Sequence, residues 1–96
     1  MKNKEEVLNW AKERNLLKPE NSTRQFIKTV EEVGEVANAL VKGNKEALID
    51  GIGDVVVTLI ILSAQNGLDI EDCLDSAYQE IKNRTGKTEN GTFIKD

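Results

Sequence analysis

Apolar residues recur every three or four positions through most of this chain, and the rhythm breaks at residues that start and stop helices. Over residues 4–16, Val7, Leu8, Ala11 and Leu16 fall on or near one helical face. Residues 17–21, with Pro19 among them, read as a connecting loop. Ser22 and Gln25 have the spacing of a capping box, which predicts the start of a second helix. Its apolar positions are Phe26, Ile27, Val30, Val33, Ala37, Leu40 and Val41, whose offsets alternate threes and fours. Gly43 suits the left-handed residue that ends a helix, and Asn44 suits the cap of the next.

A third helix is expected over about residues 45–65. Val55, Val56, Val57, Ile60 and Ile61 are β-branched and fit a buried strand equally well by propensity. No other strand candidate precedes the tail to pair with one, and Asn66-Gly67 is a fitting helix stop, so the helix is preferred. Apolar almost all round, it is expected to be central, packed on several sides. Asp69 is placed to cap a fourth helix, with Glu71 in its first turn, carrying Cys73, Leu74, Ala77, Tyr78 and Ile81 inward. Residues 83–96 are polar and irregular, although Asn90-Gly91 has the form of a hairpin turn. The expected fold is all-α: a compact four-helix, bundle-like single domain spanning residues 1–96 with a short irregular C-terminal tail.

Composition narrows the chemistry. Ninety-six residues, 39% hydrophobic, build only a small core, so association of copies is a natural way to cover apolar surface. The net charge of −4 argues against a nucleic-acid partner. A single cysteine, Cys73, excludes an intrachain disulfide and is expected to be a small buried apolar residue. The N-terminus lacks the apolar core of a signal peptide, and the apolar run of residues 55–62 is far shorter than the ~20 residues of a membrane span, so a cytoplasmic protein with no membrane partner is expected. The chain has no histidine. That removes Ser-His-Asp and Cys-His nucleophile systems, histidine-bound zinc and the Glu-x-x-His di-iron pattern. Any metal site would be all oxygen, which selects Mg²⁺ or Mn²⁺.

Six carboxylates stand out: Glu31, Glu32 and Glu35, then Glu46, Asp50 and Asp54. Residues three and four apart are neighbours on a helix, so Glu31, Glu32 and Glu35 share a face with Lys28, roughly opposite the main apolar stripe. Taken alone, that face is an ordinary solvated one. Asp50 and Asp54 change the weighing. Asp is a poor mid-helix residue, and Gly51 and Gly53 beside it cost about 1 kcal/mol each relative to Ala. The short Gly43-Asn44 connection makes the second and third helices antiparallel neighbours. Glu35 lies eight residues before Gly43 and Asp50 seven after it, so the two acidic groups can meet, and acidic groups that meet repel unless a cation sits among them.

The run Glu31-Glu32-Val33-Gly34-Glu35, followed by Gly53-Asp54 at the head of an apolar helix, resembles the MazG-like all-α nucleoside triphosphate pyrophosphohydrolases. The family pattern is Glu-Glu-x-x-Glu, a spacer, then Glu-x-x-Asp. The resemblance extends to Lys28, to Ile81-Lys82-Asn83-Arg84-x-Gly86-Lys87, and to a tail with Gly91 and Phe93-Ile94-Lys95 like that of small phage and Gram-positive members. One departure matters: the family's second-motif Glu falls at position 51, where this chain has Gly51, with Asp50 one residue earlier.

The resemblance implies Mg²⁺-dependent hydrolysis (Mn²⁺ in its place being an option) of a nucleoside triphosphate to the monophosphate and pyrophosphate, a nucleotide-pool house-cleaning activity. It implies Glu32, Glu35 and Asp54 as metal ligands with Asp50 as a fourth. Glu32 or Glu35 would orient the attacking water, and Glu31 would support the site from outside. Lys28, Lys82, Arg84 and Lys87 are candidate phosphate contacts, Asn83 a candidate sugar or phosphate contact, and Trp10 either a stacking partner for a base or a packing residue. The resemblance also favours a homodimer or homotetramer, here expected to associate through the apolar third helix. Two other readings stay open: a nucleotide-binding or regulatory protein of this fold that has lost turnover, and a helical interaction module.

Overall fold

The computed structural model describes every residue, Met1–Asp96. Four helices appear in the expected order: α1 over Lys4–Glu13, α2 over Ser22–Lys42, α3 over Lys45–Gln65 and α4 over Ile70–Ile81. A short 3-10 turn, Pro19–Asn21, joins α1 to α2.

The local signals decide most boundaries. Gly43 takes a left-handed φ of 64° and ends α2, and the Asn44 side chain accepts a hydrogen bond from the Ala47 N–H to open α3. Asp69 caps α4 by accepting from the Glu71 N–H. The β-branched run of α3 is helical throughout, because its side chains are taken up by packing rather than by a pairing strand. The capping box at Ser22 does not form. Asn21 holds the cap position without a side-chain bond, Ser22 Oγ accepts instead from Asn66 Nδ2, and Gln25 reaches across to donate to the Thr58 carbonyl.

The tail is more regular than expected. Strands β1 (Gly86–Glu89) and β2 (Thr92–Lys95) form an antiparallel hairpin in which Lys87 faces Ile94 and Thr88 faces Phe93. Asn90 and Gly91 both have positive φ, 52° and 77°, as a tight two-residue turn requires.

Helices α2 and α3 pack as an antiparallel pair, with α1 lying against α3. The seam that α2 turns toward α3 runs through Gln25, Thr29, Glu32, Val36 and Ala39, all buried or half-buried. Thr29 Oγ1 donates to the Gln25 carbonyl and Thr58 Oγ1 to the Val55 carbonyl, so the polar groups of this seam are largely satisfied locally. Gly51 is buried where α3 meets α2: a Cβ there would stand 3.0 Å from Val36 Cγ2. Gln65, 2% exposed, donates to the Leu16 carbonyl and ties the α1–α2 connection to the end of α3. Thr58 and Gln65 therefore serve packing between helices and do not face the carboxylates of α3.

The apolar stripe of α2 is offset by one residue from that packed seam. Phe26, Val30, Val33, Ala37 and Leu40 are all exposed, as are Ile49, Ile52 and Val56 of α3. Helix α4 packs its backbone only against α3, with Lys4 and the Met1 ammonium reaching Glu71 in its first turn, and none of its residues is buried. Leu74, Tyr78 and Ile81, expected to face inward, are more than half exposed, and Cys73, expected to be buried, is exposed as well. The cause is geometric: α4 leaves α3 after Gly67 and has no second helix of its own chain to lie on. The hairpin contacts no other element at all. The radius of gyration of 15.8 Å, against about 12.5 Å for a closed domain of this length, reflects that projecting arm.

Helix α3 is, by length and composition alone, long and apolar enough to cross a membrane, unlike the shorter run read from the sequence. Its Asp50 and Asp54 sit in the cleft described next, an expensive pair to place in a bilayer.

Candidate functional site

Helical spacing and the α2–α3 turn together build one acidic cleft. On α2, Glu32, Glu35, Asn38 and Lys42 follow each other at intervals of three and four, and Ala39 forms the floor. On α3, Ala47, Asp50, Gly51 and Asp54 do the same from the opposite direction. Asn44, the cap of α3, closes the end nearest the turn. The cleft has a volume of about 430 Å³. All four carboxylates expected to share a site are thus brought into one cleft: Glu32 and Glu35 from one wall, Asp50 and Asp54 from the other. No three of them stand close enough to make a ready-formed metal cage.

Charge in the cleft is unbalanced. Four carboxylates face one lining cation, Lys42. Lys28 stands at the edge, its Nζ 3.2 Å from Glu32 and 3.9 Å from Glu31. Its pKa is raised, first by the hydrogen bond to Glu32, then by the charges of Glu32 and Glu31, and to a smaller degree by Asp54. Glu32 is the most enclosed carboxylate of the set, its side chain 15% exposed, whereas Glu31 at 62% lies outside the cleft on the rim of a shallow depression with Lys28 and Arg24.

A second depression adjoins the first. Asn3, Glu6, Val7 and Trp10 of the α1 segment and Val57 of α3 line it, and its remaining wall is Asp54. The Arg14 guanidinium lies over the Trp10 ring at 4.3 Å and donates to the Trp10 carbonyl, which fixes one face of the indole. Asp54 therefore belongs to both an acidic cleft and a mostly apolar pocket bearing an aromatic ring.

The remaining basic candidates are elsewhere. Lys82, Asn83, Arg84 and Lys87 are exposed on the end of α4 and the hairpin, Lys87 pairing with Glu89 at 2.9 Å, and none lines the cleft of its own chain. Asn38 and Lys42 were not anticipated, although a signal existed: they sit three and seven residues beyond Glu35, on its own face. Where the family pattern places a Glu, Gly51 is packed against Val36, so the acidic group of that turn is Asp50.

No solved structure matches the chain. An uncharacterised 18.2 kDa protein in the rep-hol intergenic region of Haemophilus phage HP1 (strain HP1c1) is 40% identical over 60 residues. That stretch is 62% of this chain and 37% of the phage protein, so the chain spans little more than a third of that relative. Residues 20–88, which include both walls of the cleft, match the MazG nucleotide pyrophosphohydrolase domain. The chain belongs to the MazG nucleotide pyrophosphohydrolase family.

Proposed function

We propose that this protein hydrolyses a nucleoside triphosphate between its α- and β-phosphates, releasing a nucleoside monophosphate and pyrophosphate, with Mg²⁺ or Mn²⁺ as the required ion. The observation that carries the reading is the shared wall at Asp54. A cleft suited to a cation-loaded polyphosphate and a pocket suited to a flat base adjoin there, as the two ends of a nucleotide require.

The donor set fits the ion: four carboxylates, hard oxygen donors on two helices, with no sulfur or imidazole. Glu32, Glu35, Asp50 and Asp54 would hold it. When bound, Mg²⁺ supplies positive charge against the triphosphate and the departing pyrophosphate. The chain does the rest. Glu35 or Glu32 orients a water toward the α-phosphorus and accepts its proton. The water oxygen bonds to that phosphorus while the bond to the bridging oxygen of the β-phosphate breaks, and pyrophosphate leaves. Lys42 donates to a phosphate oxygen. Lys28 is released from Glu32 as the cleft gains positive charge. Trp10 stacks on the base, with Asn3 and Glu6 as its polar neighbours.

One observation favours a second reading, a nucleotide-binding protein without turnover. The glycine at position 51 leaves the second wall without the family's donor, Asp50 standing one residue earlier, and the four carboxylates do not form a ready-made metal cage.

The test is pyrophosphate release from a panel of ribo- and deoxynucleoside triphosphates with Mg²⁺ and with Mn²⁺, for the wild type beside Glu35→Gln and Asp54→Asn. Release that both substitutions abolish is expected. Triphosphate binding by calorimetry with no product from any substrate would select the second reading, and neither binding nor product would end both.

A further inference from the structure

One face of the α1 segment turns Asn3, Glu6, Val7 and Trp10 into the pocket that shares Asp54 with the acidic cleft, at the three- and four-residue spacing of helical neighbours. The two polar groups on that face are unspent. Asn3 stands at the cap of α1, yet its side chain accepts no backbone N–H, unlike those of Asn44 and Asp69. Glu6 makes no ion pair, and Lys4, two residues away, is turned to Asp69 and Glu71. No lysine or arginine lines the pocket. The first turn of α1 gains from an acidic residue against the helix dipole, but Glu5 supplies one outside the pocket.

The indole sets where a base would lie. The Arg14 guanidinium covers one face of Trp10 and does not line the pocket, so the other face is the one left for a base. Glu6 stands one helical turn from Trp10, about 6 Å along the axis, within reach of the edge of a ring laid on the indole.

An ionised carboxylate only accepts hydrogen bonds, so it sorts bases by what their edges donate. Cytosine, adenine and guanine each carry an exocyclic amino group, and a carboxylate pairs with it as Glu and Asp do with the cytosine amino group in DNA. Uracil and thymine offer one ring N–H between two carbonyl oxygens. A carboxylate drawn to that N–H meets the lone pairs of the flanking oxygens, with no cation in the pocket wall to offset the repulsion. The Asn3 amide can donate to an acceptor on the same edge: the ring nitrogen beside the amino group in cytosine and adenine, or the carbonyl oxygen of guanine.

We propose that Glu6 sets the choice of base: its carboxylate accepts from the exocyclic amino group of a base stacked on Trp10, Asn3 donates to the same edge, and nucleotides of uracil and thymine are rejected. This rests on the pyrophosphohydrolase reading for the polyphosphate, and on the unspent pair beside the indole for the base.

Trp10 is the single tryptophan of the chain, so its fluorescence reports on that ring alone. The probes are α,β-methylene analogues of CTP and UTP, whose edges differ by an amino group in place of a carbonyl, and of ATP and ITP, which repeat the change on a purine. They resist cleavage between the α- and β-phosphates, so affinity is read apart from turnover. With Mg²⁺, calorimetry is expected to show the amino-bearing member of each pair binding at least ten-fold tighter, the scale of one base-reading contact, with quenching of Trp10. Glu6→Gln, whose amide donates as well as accepts, is expected to remove the preference in both pairs with helical circular dichroism retained. A carboxylate that served only the helix dipole would change the melting temperature and leave the two ratios as they are. Equal affinities in the wild type, a preference for the UTP or ITP analogue, a preference that survives Glu6→Gln, or binding that leaves Trp10 emission unchanged each overturns the proposal. Pyrophosphate release from natural triphosphates alongside any of these leaves the hydrolase reading standing. No binding of any analogue and no product from any triphosphate removes both.

Discussion

The α2–α3 pair and the α4–hairpin arm follow the same local rules and end in opposite situations. Both have their caps: Asn44 for α3 and Asp69 for α4, each accepting a backbone N–H. Both have a left-handed turn residue, Gly43 in one and Gly91 in the other. Yet the pair buries Gly51, Thr58, Ile60, Ile61 and Gln65 on α3 alone, whereas the arm buries nothing. The pair closes its shared seam within one chain because Gly51 lets Val36 approach and because Gln25 reaches the Thr58 carbonyl, although the apolar stripe of α2 stays open. The arm lacks an equivalent neighbour. Local sequence sets where helices and turns form; whether their faces are covered depends on what stands opposite.

The strongest break of this comparison separates chemistry from stability within the pair. Glu35→Gln and Asp54→Asn are expected to reduce pyrophosphate release by roughly 10²-fold or more, the scale of losing an essential acid–base or ligand group. Neither is expected to lower the melting temperature without Mg²⁺. Both side chains sit in an exposed cleft among like charges, and removing one relieves repulsion. Loss of fold in either variant would make these carboxylates structural.

Next in size is the apolar seam. Val30→Glu lies on the exposed stripe of α2, one residue from the packed Thr29. Sedimentation should show a shift to monomer, with helical circular dichroism retained. A wild type that is already monomeric at high concentration would show that the stripe is simply left open.

The arm can be broken without touching the pair. Gly86→Ala puts a methyl group where the Ile94 carbonyl and the Phe93 ring stand. The hairpin is expected to open, seen as loss of its cross-strand amide protection. The main unfolding transition should stay within about 1 kcal/mol of wild type, as surface changes away from the core usually do. A collapse of the helical transition would mean that the hairpin supports the body.

How much of this was legible in the sequence follows from the range of the forces involved. Gly43, Asn44, Asp69 and the Asn90-Gly91 turn act within a few residues, and each does what its type predicts. The four cleft carboxylates were legible because helical period and a short antiparallel turn place Glu35 opposite Asp50 with no long-range knowledge. Which face of α2 turns inward was not. Apolarity ordinarily decides that, and here the packed seam is the one with Gln25, Thr29 and Glu32, where Gln25 donates across to the Thr58 carbonyl and Thr29 is satisfied within its own helix, a pairing that no local pattern announces. Ser22 shows the same limit: a capping-box residue on paper, it is engaged by Asn66 from the far end of α3. Lys42 and Asn38 were one step of helical arithmetic away from Glu35. The placement of Lys82, Arg84 and Lys87 away from the cleft turns on where α4 leaves α3, which the sequence does not encode locally.

A smaller effect measures the caps themselves. Asn44→Ala removes the acceptor for the Ala47 N–H at the turn that aligns the two cleft walls, and is expected to cost about 1 kcal/mol. Activity should fall only as far as Asp50 moves. Chemical denaturation of the variant checks the first figure, and a loss well below half of it would mean that the turn is held by Gly43 and packing alone.

The smallest effect concerns the polar staple that ties the α1 segment to the start of the arm. Lys4 of α1 donates to Asp69 at the start of α4, Nζ to carboxylate 2.9 Å, and lies 3.5 Å from Glu71, which the Met1 ammonium also contacts. The hydrogen bond from Lys4, then that from the Glu71 N–H, lowers the pKa of Asp69 below its ordinary 3.8, while the same bond raises that of Lys4 above 10.5. The signs follow by linkage. A carboxylate with a depressed folded pKa stabilises fully above its unfolded value, so the Asp69 contribution is present above about pH 4 and is lost as pH falls through and below it. A lysine with a raised folded pKa stabilises fully below its unfolded value, so the Lys4 contribution is lost as pH rises past 10.5. Lys4 is half-buried but Asp69 is exposed, and 0.1 M salt screens such pairs over about 10 Å, so the effect is small and salt-dependent. Lys4→Met should therefore flatten the acid limb of the melting-temperature profile at low salt and change little near neutrality. An acid limb unchanged in Lys4→Met would show that α4 is held to α3 by its apolar contacts near Leu68 and Ile70, with no measurable help from the staple.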